Sequence, residues 1–255
     1  MPAQLTILGG GGWFPAYGRH TACALLRRDG HAVVIDAGTG ISRLSERPEL
    51  LDGVGRLDIV LTHFHLDHIG GLAYLAALGF DGEITLWGPG QVLYDAPTSG
   101  FLDRLLGEPF HPVPLAALDI EVCDLPAGEL ELEGTRLTHR RQERHSIATL
   151  GLRFGDTLAW ITDTALDPES APFAAGCHTL AHEAWFPSPE PRNPEVHSSG
   201  AEAAQVAAAA GTEQLLLTHL PPFASDLEPL LQDAAGAGRP DATLALDWLR
   251  LTPTG

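Results

Sequence analysis

The sequence has 255 residues, enough for one large α/β domain, and its 33 acidic residues outweigh 15 basic ones to give a net charge of −18. All the basic residues are arginine, and a field of this sign disfavours non-specific attraction to nucleic acid or to an anionic membrane. The three cysteines form no CxxC pair, and the sequence has neither a signal-peptide pattern nor an apolar stretch of membrane-spanning length. We therefore expect a single cytoplasmic domain over residues 1–255 with reduced thiols.

Strands alternate with helices along the first half of the chain. Apolar runs predict strands over residues 4–8, 21–26, 31–35, 57–61 and 83–87. Residues 69–78 have the apolar spacing of a helix, and the Pro-rich segment 91–116 is predicted to hold a helix around 101–106. The glycine run at 9–12 lacks the spacing and the lysine of a phosphate-binding loop, so nucleotide binding there is not expected.

The second half repeats this alternation. Strands are predicted over residues 130–139, 150–154, 157–161, 179–182 and 214–218. Ser199 and Glu202 have the spacing of a capping box, so a helix is expected to begin there and to run to Ala210. Since no linker composition separates the halves, the pattern predicts one α/β domain.

Four metal-capable side chains follow the strand predicted at 57–61. They are His63, His65, Asp67 and His68. The spacing of His63 and His65 projects two imidazoles to the same side of an extended segment, and imidazole and carboxylate are ligands that Zn²⁺ prefers. A histidine-rich solvated loop is the alternative, but a loop of that kind has no reason to follow a buried strand so closely. The segment therefore predicts a metal site.

Three further residues lie at strand boundaries in the second half. His145 precedes a strand, whereas Asp163 and His219 each follow one. The alternatives are an exposed loop histidine, a turn aspartate and a strand-end histidine without a chemical role. The remaining histidines that fit no ligand position, for which structural roles are expected, are His20, His31, His111, His139 and His178.

Taken together, the HxHxDH motif at 63–68, His145, the Ile-Thr-Asp163-Thr run and the Leu-Thr-His219-Leu-Pro run resemble the metallo-β-lactamase fold hydrolases. The resemblance implies a four-layer αββα sandwich in which two mixed sheets pack face to face. It also implies two divalent metal ions, with Zn²⁺ favoured and Mn²⁺ or Fe²⁺ as alternatives. The ligand sets implied are His63, His65 and His145 for one ion and Asp67, His68 and His219 for the other, bridged by Asp163.

Two further segments resemble the phosphodiesterase branch of these hydrolases, which contains the tRNA 3′-end-processing endonucleases and small cyclic phosphodiesterases. They are His182-Glu183-Ala-Trp-Phe and His197-Ser-Ser. The resemblance implies that His197 protonates the leaving oxygen and that Glu183 orients His197, a role that suits a histidine held by a carboxylate. A surface carboxylate and a helix-entry histidine are the alternatives. Asp67 is expected both to bind metal and to neighbour the attacking hydroxide.

The spacing between His145 and Asp163 bears on the substrate. The tRNA-processing enzymes carry a long arm at this place, whereas here positions 146–162 hold two predicted strands and a turn. With the acidic charge, this favours a small or cyclic phosphodiester and argues against strong nucleic-acid or membrane binding. Arg140, Arg141 and Arg144 either suit an anionic substrate or form a solvated charge run.

The resemblance leaves a homodimer open. It also leaves two other hydrolases as alternatives, namely a tRNA-processing endoribonuclease and an enzyme that opens a lactone or thioester carbonyl. A non-catalytic metal-binding module is disfavoured because all seven ligand positions are filled.

Overall fold

The computed structural model describes residues 3–188 and 196–253, which form two seven-stranded sheets. The first sheet has β14 (Arg250–Leu251) at its edge, followed by β1 (Gln4–Gly9), β2 (Cys23–Arg28), β3 (His31–Ile35), β4 (Arg56–Val60), β5 (Glu83–Gly88) and β6 (Glu121–Asp124). The second has β13 (Thr243–Leu244) at its edge, followed by β12 (Gln214–Thr218), β11 (Thr179–Glu183), β10 (Leu158–Ile161), β9 (Thr149–Phe154), β8 (Thr135–Gln142) and β7 (Glu129–Leu132).

Both sheets are mixed. In the first, the pairs from β14 to β3 are antiparallel and those from β3 to β6 are parallel. In the second, the pairs from β7 to β10 are antiparallel and those from β10 to β13 are parallel. Each sheet therefore has a region where several strands end side by side at one edge, which is where ligands bind in sheets of this kind.

Helices cover the outer faces of the two sheets. The α-helices are α1 (Arg43–Glu46), α2 (Leu66–Ile69), α3 (Gly90–Tyr94), α4 (Thr98–Leu105), α5 (Ser170–Ala174), α6 (Gly200–Ala210) and α7 (Glu228–Gly236). Shorter 3₁₀ helices lie at Thr39–Ser42, Pro48–Leu51, Gly70–Ala77 and Leu115–Ala117. Among the described residues, no helix has the length and apolar character needed to span a membrane.

Three buried layers hold these elements together. Ile7 and Val33 from the first sheet pack with Phe154 and Trp160 from the second in the layer between the sheets. A second cluster lies between the first sheet and its helices, and a third, rich in the alanines of α6, lies on the second sheet. The expected four-layer αββα sandwich is confirmed.

Two predicted elements differ from the structure. The strand expected over 130–139 is the hairpin β7–β8, because Glu133 and Gly134 adopt φ angles of 45° and 81° and so form a tight two-residue reversal. The helix expected over 69–78 is α2 followed by a 3₁₀ helix. Gly70 and Gly71 disfavour a continuous α-helix, and Gly71 lies so close to the Gly38 carbonyl that a Cβ atom would not fit.

Other predicted elements are present with small shifts at their ends. The helix predicted around 101–106 begins earlier, as α4, directly after Pro97. The helix predicted after Ser199 is α6, and its capping box is formed, since the Glu202 backbone N–H donates to Ser199 Oγ at 3.1 Å and the Ser199 N–H donates to Glu202 Oε2 at 2.7 Å. Cys23, Cys123 and Cys177 are free thiols.

Asp58 on β4 is a buried carboxylate with a complete set of partners. It lies 2.6 Å from His31 Nε2, and its oxygens accept hydrogen bonds from Arg56 at 3.0 and 3.1 Å and from Trp87 Nε1 at 2.7 Å. Burial alone would raise the pKa of Asp58, but the hydrogen bonds outweigh burial and lower the pKa to about 2. His31 thus has the structural role expected of it.

We expect Asp58→Asn to lower the free energy of unfolding at pH 7 by roughly 2 kcal/mol, since the folded pKa lies below the unfolded value. This stabilisation is present above about pH 4 and is lost as the pH falls towards 2. Urea unfolding of variant and wild type from pH 7 to pH 3 measures it, with the exposed Asp81→Asn as the control. A stability difference that stays constant down to pH 3 would contradict the assignment.

Candidate metal centre and active site

The seven predicted ligand residues come together at one edge of the sandwich. His63 and His65 follow β4, and α2 carries Asp67 and His68. From the second sheet, the loop after β8 supplies His145, and the ends of β10 and β12 supply the remaining two, Asp163 and His219. The metal-capable atoms of one group lie within 4.8 Å of one another, and the same holds for a second group. The first group is His63, His65, His145 and Asp163, and the second is Asp67, His68 and His219.

Asp163 lies at the centre of the cluster. Its Oδ1 is 3.9 Å from the Nε2 atom of His63, 3.5 Å from that of His145 and 3.4 Å from that of His219. Its Oδ2 is 3.1 Å from His68 Nε2. Burial alone would raise the pKa of Asp163, but the surrounding histidines hold it well below its ordinary value. The carboxylate is therefore charged and in reach of both ligand groups, as a bridging ligand requires.

Asp67 connects the second group to the mouth of the site. Its Oδ2 is 3.5 Å from His68 Nε2 and 3.2 Å from His219 Nε2, and it accepts a hydrogen bond from the Trp13 backbone N–H at 2.7 Å. Burial would raise the pKa of Asp67, but His68 and His219 keep it below its ordinary value. A second charged carboxylate thus contacts the histidines of the cluster.

Several residues of the site adopt a left-handed backbone at strand ends. The φ angles are 57° at Asp36, 53° at Asp163 and 49° at His219, which follow β3, β10 and β12. This conformation is uncommon for residues other than glycine, and it concentrates at functional sites where the surrounding structure enforces it. The chain therefore turns sharply directly after each strand, at the edge where the side chains meet.

Asp36 is a site residue that the sequence interpretation did not assign. Its Oδ2 lies 2.8 Å from His68 Nδ1, and it accepts hydrogen bonds from the Thr62 hydroxyl at 3.0 Å and the Thr62 N–H at 2.8 Å. Thr62 Oγ1 in turn lies 3.0 Å from His63 Nδ1. These contacts orient the rings of His63 and His68 so that the Nε2 atom of each points into the cluster. The sequence shows only an aspartate directly after a predicted strand. In the structure, that strand pairs with the strand that leads to His63.

The glycine run at 9–12 packs against the same site. A Cβ atom at Gly12 would lie 2.5 Å from the ring of His219, so only glycine allows this close approach. The Gly12 N–H donates to the Leu220 carbonyl at 3.0 Å, which fixes the run beside the residue after His219. The run therefore serves packing at the site, in agreement with the absence of a phosphate-loop spacing.

The donor set fits divalent cations. The Nε2 atoms of His63 and His68 are buried and have no hydrogen-bond partner in the structure, although buried polar atoms are normally paired. Burial lowers the pKa of His63 far below its ordinary value, so its imidazole is neutral and has a lone pair available. Histidines and two charged carboxylates at these distances are the ligands that Zn²⁺, Mn²⁺ and Fe²⁺ accept.

Glu183 and His197 form a hydrogen-bonded pair beside the cluster. Glu183 Oε2 lies 2.8 Å from His197 Nδ1, and the other oxygen of this buried carboxylate accepts the Thr164 N–H. Glu183 is thus not a surface residue. Burial would lower the pKa of His197, but the Glu183 charge raises it above its ordinary value. Trp185 stacks on the His197 ring with a centroid distance of 4.6 Å and holds the ring in place.

The three arginines near His145 make contacts away from the cluster. Arg140 pairs with Asp167 at 2.6 Å, Arg141 pairs with Glu143, and Arg144 donates to the Leu166 carbonyl. None of them lines the cavity over the site. Their guanidinium groups tie β8 and the following loop to neighbouring residues, and a role in attracting an anionic substrate stays a prediction.

A cavity of about 720 Å³ opens over the cluster. Its lining consists of Trp13, Phe14, His65, Leu66, Asp67, His145, Asp163, Trp185, His197, His219 and Phe223. The histidines for which structural roles were expected do not line it; they are His20, His31, His111, His139 and His178. The cavity thus brings five of the seven predicted ligand residues, His197 and four aromatic side chains into one space.

The sequence profile described as "Beta-lactamase superfamily domain" matches residues 31–220. The chain belongs to the beta-lactamase superfamily. The match includes all seven predicted ligand residues as well as Glu183 and His197. This superfamily member is a metal-dependent hydrolase, and the resemblance stated from the sequence is confirmed.

Relatives and solved structures agree with this membership. A ribonuclease Z of Acaryochloris marina is 30% identical to the chain, with 96% of each protein covered. The metallo-β-lactamase fold protein YhfI from Bacillus subtilis superposes with a TM-score of 0.80 at 20% identity and covers 98% of this chain and 100% of its own. A diphosphatase of the PhnP family superposes with a TM-score of 0.72 at 21% identity and covers 99% of this chain and 100% of its own.

We expect Asp36→Asn to weaken metal binding by about 10- to 100-fold, because the amide is a poorer hydrogen-bond partner for His68 than the carboxylate. Asparagine tolerates the left-handed backbone at this position, so the loop is retained. Titration of the apoprotein with Zn²⁺ by calorimetry measures the change. The matched control is Asp58→Asn, which removes a buried carboxylate from the same sheet away from the cluster. Equal Zn²⁺ affinities of Asp36→Asn and wild type would show that Asp36 does not support the site.

Proposed function

We propose that this protein is a dinuclear metal-dependent phosphodiesterase that hydrolyses a small or cyclic phosphodiester. The observation that carries the proposal is the position of His197. A ring nitrogen of His197 lies within 4.8 Å of ligand atoms of Asp163 and His219, and Glu183 holds the ring through Nδ1. A histidine anchored in this way faces the place where a leaving group would depart from a substrate on the cluster.

The residues proposed to hold the ions are His63, His65 and His145 on one side, Asp67, His68 and His219 on the other, and Asp163 between them. When bound, two divalent cations supply Lewis-acid stabilisation of charge on a phosphoryl group and lower the pKa of water. Asp67 lies at the cavity surface with one oxygen towards the Trp13 N–H, and in this proposal it orients the attacking water.

His197 acts as the general acid. Its Nδ1–H donates to Glu183, whose charge raises the pKa of the imidazole above its ordinary value, and in this proposal the proton on Nε2 is the one transferred. Water adds its oxygen to phosphorus, the ester P–O bond breaks, and the Nε2 proton moves to the departing alkoxide, while the proton that the attacking water releases passes to solvent and the imidazole regains a proton from solvent. The products are an alcohol and a phosphomonoester, or one linear phosphomonoester from a cyclic substrate. Glu183 positions His197 and does not touch the substrate.

The preference for a small substrate rests on the connection between His145 and Asp163. It holds only β9, a turn and β10, with no inserted arm. The alignment with the Acaryochloris marina relative extends over 308 positions, more than the 255 residues of this chain, so that relative has insertions absent here.

A ribonuclease is the second candidate, because the curated relative at 30% identity is named ribonuclease Z. The two candidates share the proposed ions, His197 and Glu183, and they differ in substrate size. Assays on a precursor tRNA and on cyclic mononucleotides, run with the same metal-loaded protein, separate them. Cleavage of the tRNA alone would favour the second candidate. Turnover of a lactone or thioester without phosphodiester turnover would overturn both.

The proposal predicts turnover of bis(p-nitrophenyl) phosphate when Zn²⁺ or Mn²⁺ is supplied. We expect His197→Ala to lower kcat by about 10²- to 10⁴-fold for a diester with an alkyl leaving group, which needs a proton. The loss should be much smaller for the p-nitrophenyl ester, because p-nitrophenolate leaves without protonation.

Steady-state kinetics on both esters measure this difference. His139→Ala serves as the control, since the His139 imidazole bonds to the Pro126 carbonyl away from the cavity. Equal losses on the two esters would contradict the acid role of His197. No turnover of any diester at full metal occupancy would overturn the proposed function.

A further inference from the structure

Three large aromatic side chains stand exposed at the rim of the cavity. Trp13 is 62% exposed, Phe223 is 55% exposed and Phe14 is 41% exposed. Their ring centroids lie 5.4 to 5.6 Å apart in edge-to-face contacts. An exposed apolar group of this size beside a site is typical of a surface that binds something. We refer to these three residues as the aromatic rim.

The aromatic rim is held at a fixed place relative to the cluster. The Trp13 N–H donates to Asp67, a proposed ligand, and Trp13 adopts a left-handed φ of 61°. On the other side, the buried Arg19 guanidinium donates to the carbonyls of Pro221 at 3.0 Å and Ala224 at 2.9 Å, which flank Phe223. Segments from the two ends of the chain are thus tied together so that their rings meet at the mouth of the site.

The charge of the cavity limits what the rim can recognise. Within residues 3–188 and 196–253, no arginine lines the cavity, and the sequence contains no lysine. A substrate phosphate other than the one on the cluster would therefore contact carboxylates and aromatic rings but no basic side chain. Affinity for the rest of the substrate has to come from apolar and stacking contacts, which aromatic side chains provide to any planar base.

We infer that the aromatic rim stacks against a nucleobase and that the substrate is a phosphodiester of a single nucleoside, such as a nucleoside cyclic phosphate. This inference rests on the proposed function, because it places the scissile phosphate on the cluster. The cavity of about 720 Å³ lies in the range of small-ligand sites. A sugar phosphate without a base would leave the rim exposed to water.

The test compares two diesters with the same leaving group, thymidine 5′-(p-nitrophenyl) phosphate and methyl p-nitrophenyl phosphate. The first has a nucleoside and the second has none. In the metal-loaded wild type, kcat/KM for the nucleoside ester should exceed that for the methyl ester. Trp13→Ala and Phe223→Ala should each reduce this ratio by roughly 5- to 150-fold, the range for loss of a base–aromatic stack.

The matched control is Phe110→Ala, which removes an aromatic ring that is 81% exposed and does not line the cavity. It should leave the ratio unchanged. A wild-type ratio near one, or a ratio that Trp13→Ala and Phe223→Ala leave unchanged, would overturn the inference while the phosphodiesterase proposal stands. The aromatic rim could instead bind a second copy of the chain, and sedimentation of the same variants tests this. If the variants dissociate a dimer but leave the ratio of the two kcat/KM values unchanged, the inference is also overturned.

A binding measurement separates failure of the inference from failure of the proposed function. Thymidine 5′-monophosphate should quench the fluorescence of Trp13, whereas ribose 5-phosphate should not, and Trp13→Leu should abolish the difference. If neither diester is hydrolysed, the proposed function falls together with the phosphodiester substrate, and the titration decides whether the aromatic rim stacks against a nucleobase. Equal quenching by the two phosphates, or none by either, would contradict the stacking.

Discussion

Asp163 lies in the interior with the Nε2 atoms of four histidines 3.1 to 3.9 Å from its oxygens. Two of these nitrogens, His63 Nε2 and His68 Nε2, are buried and lack a hydrogen bond of good geometry. Unpaired buried polar atoms cost free energy, so cations that accept these lone pairs would stabilise the cluster. The sharp turns at the ends of β3, β10 and β12 follow from the same requirement, because each turn directs a side chain into the cluster or behind it.

At two places in the site, a buried carboxylate contacts the Nδ1 atom of a histidine, with different consequences. Asp36 and Glu183 are both buried, and each lies 2.8 Å from the Nδ1 atom of a histidine, His68 in the first case and His197 in the second. His68 points its free nitrogen into the cluster, where a cation can accept its lone pair. His197 stacks on Trp185 at the cavity wall, where the same arrangement would keep a proton available for transfer. The position of the ring therefore decides whether carboxylate support serves metal binding or proton transfer.

The order of the histidines and aspartates, through its resemblance to the metallo-β-lactamase fold hydrolases, predicted the architecture and the residues that meet in the cluster. It did not reveal Asp36, whose role depends on β3 pairing with β4. The aromatic rim could not be predicted either, since Trp13 and Phe223 meet only after folding. Arg140 and Arg144 contact Asp167 and Leu166, on a segment whose proximity no local pattern gives. The local sequence pattern predicts which metal-capable and charged side chains are present. Contacts between segments that are distant in the sequence decide which of those side chains face the cavity.

The central claim is that the cluster around Asp163 holds two metal ions. Anomalous diffraction at the zinc edge, from crystals of the protein loaded with Zn²⁺, tests it most directly. The account predicts two peaks about 3.5–4 Å apart on either side of Asp163. One lies against His63, His65 and His145, and the other lies against Asp67, His68 and His219. A single peak, or peaks elsewhere in the molecule with none at Asp163, would contradict the account.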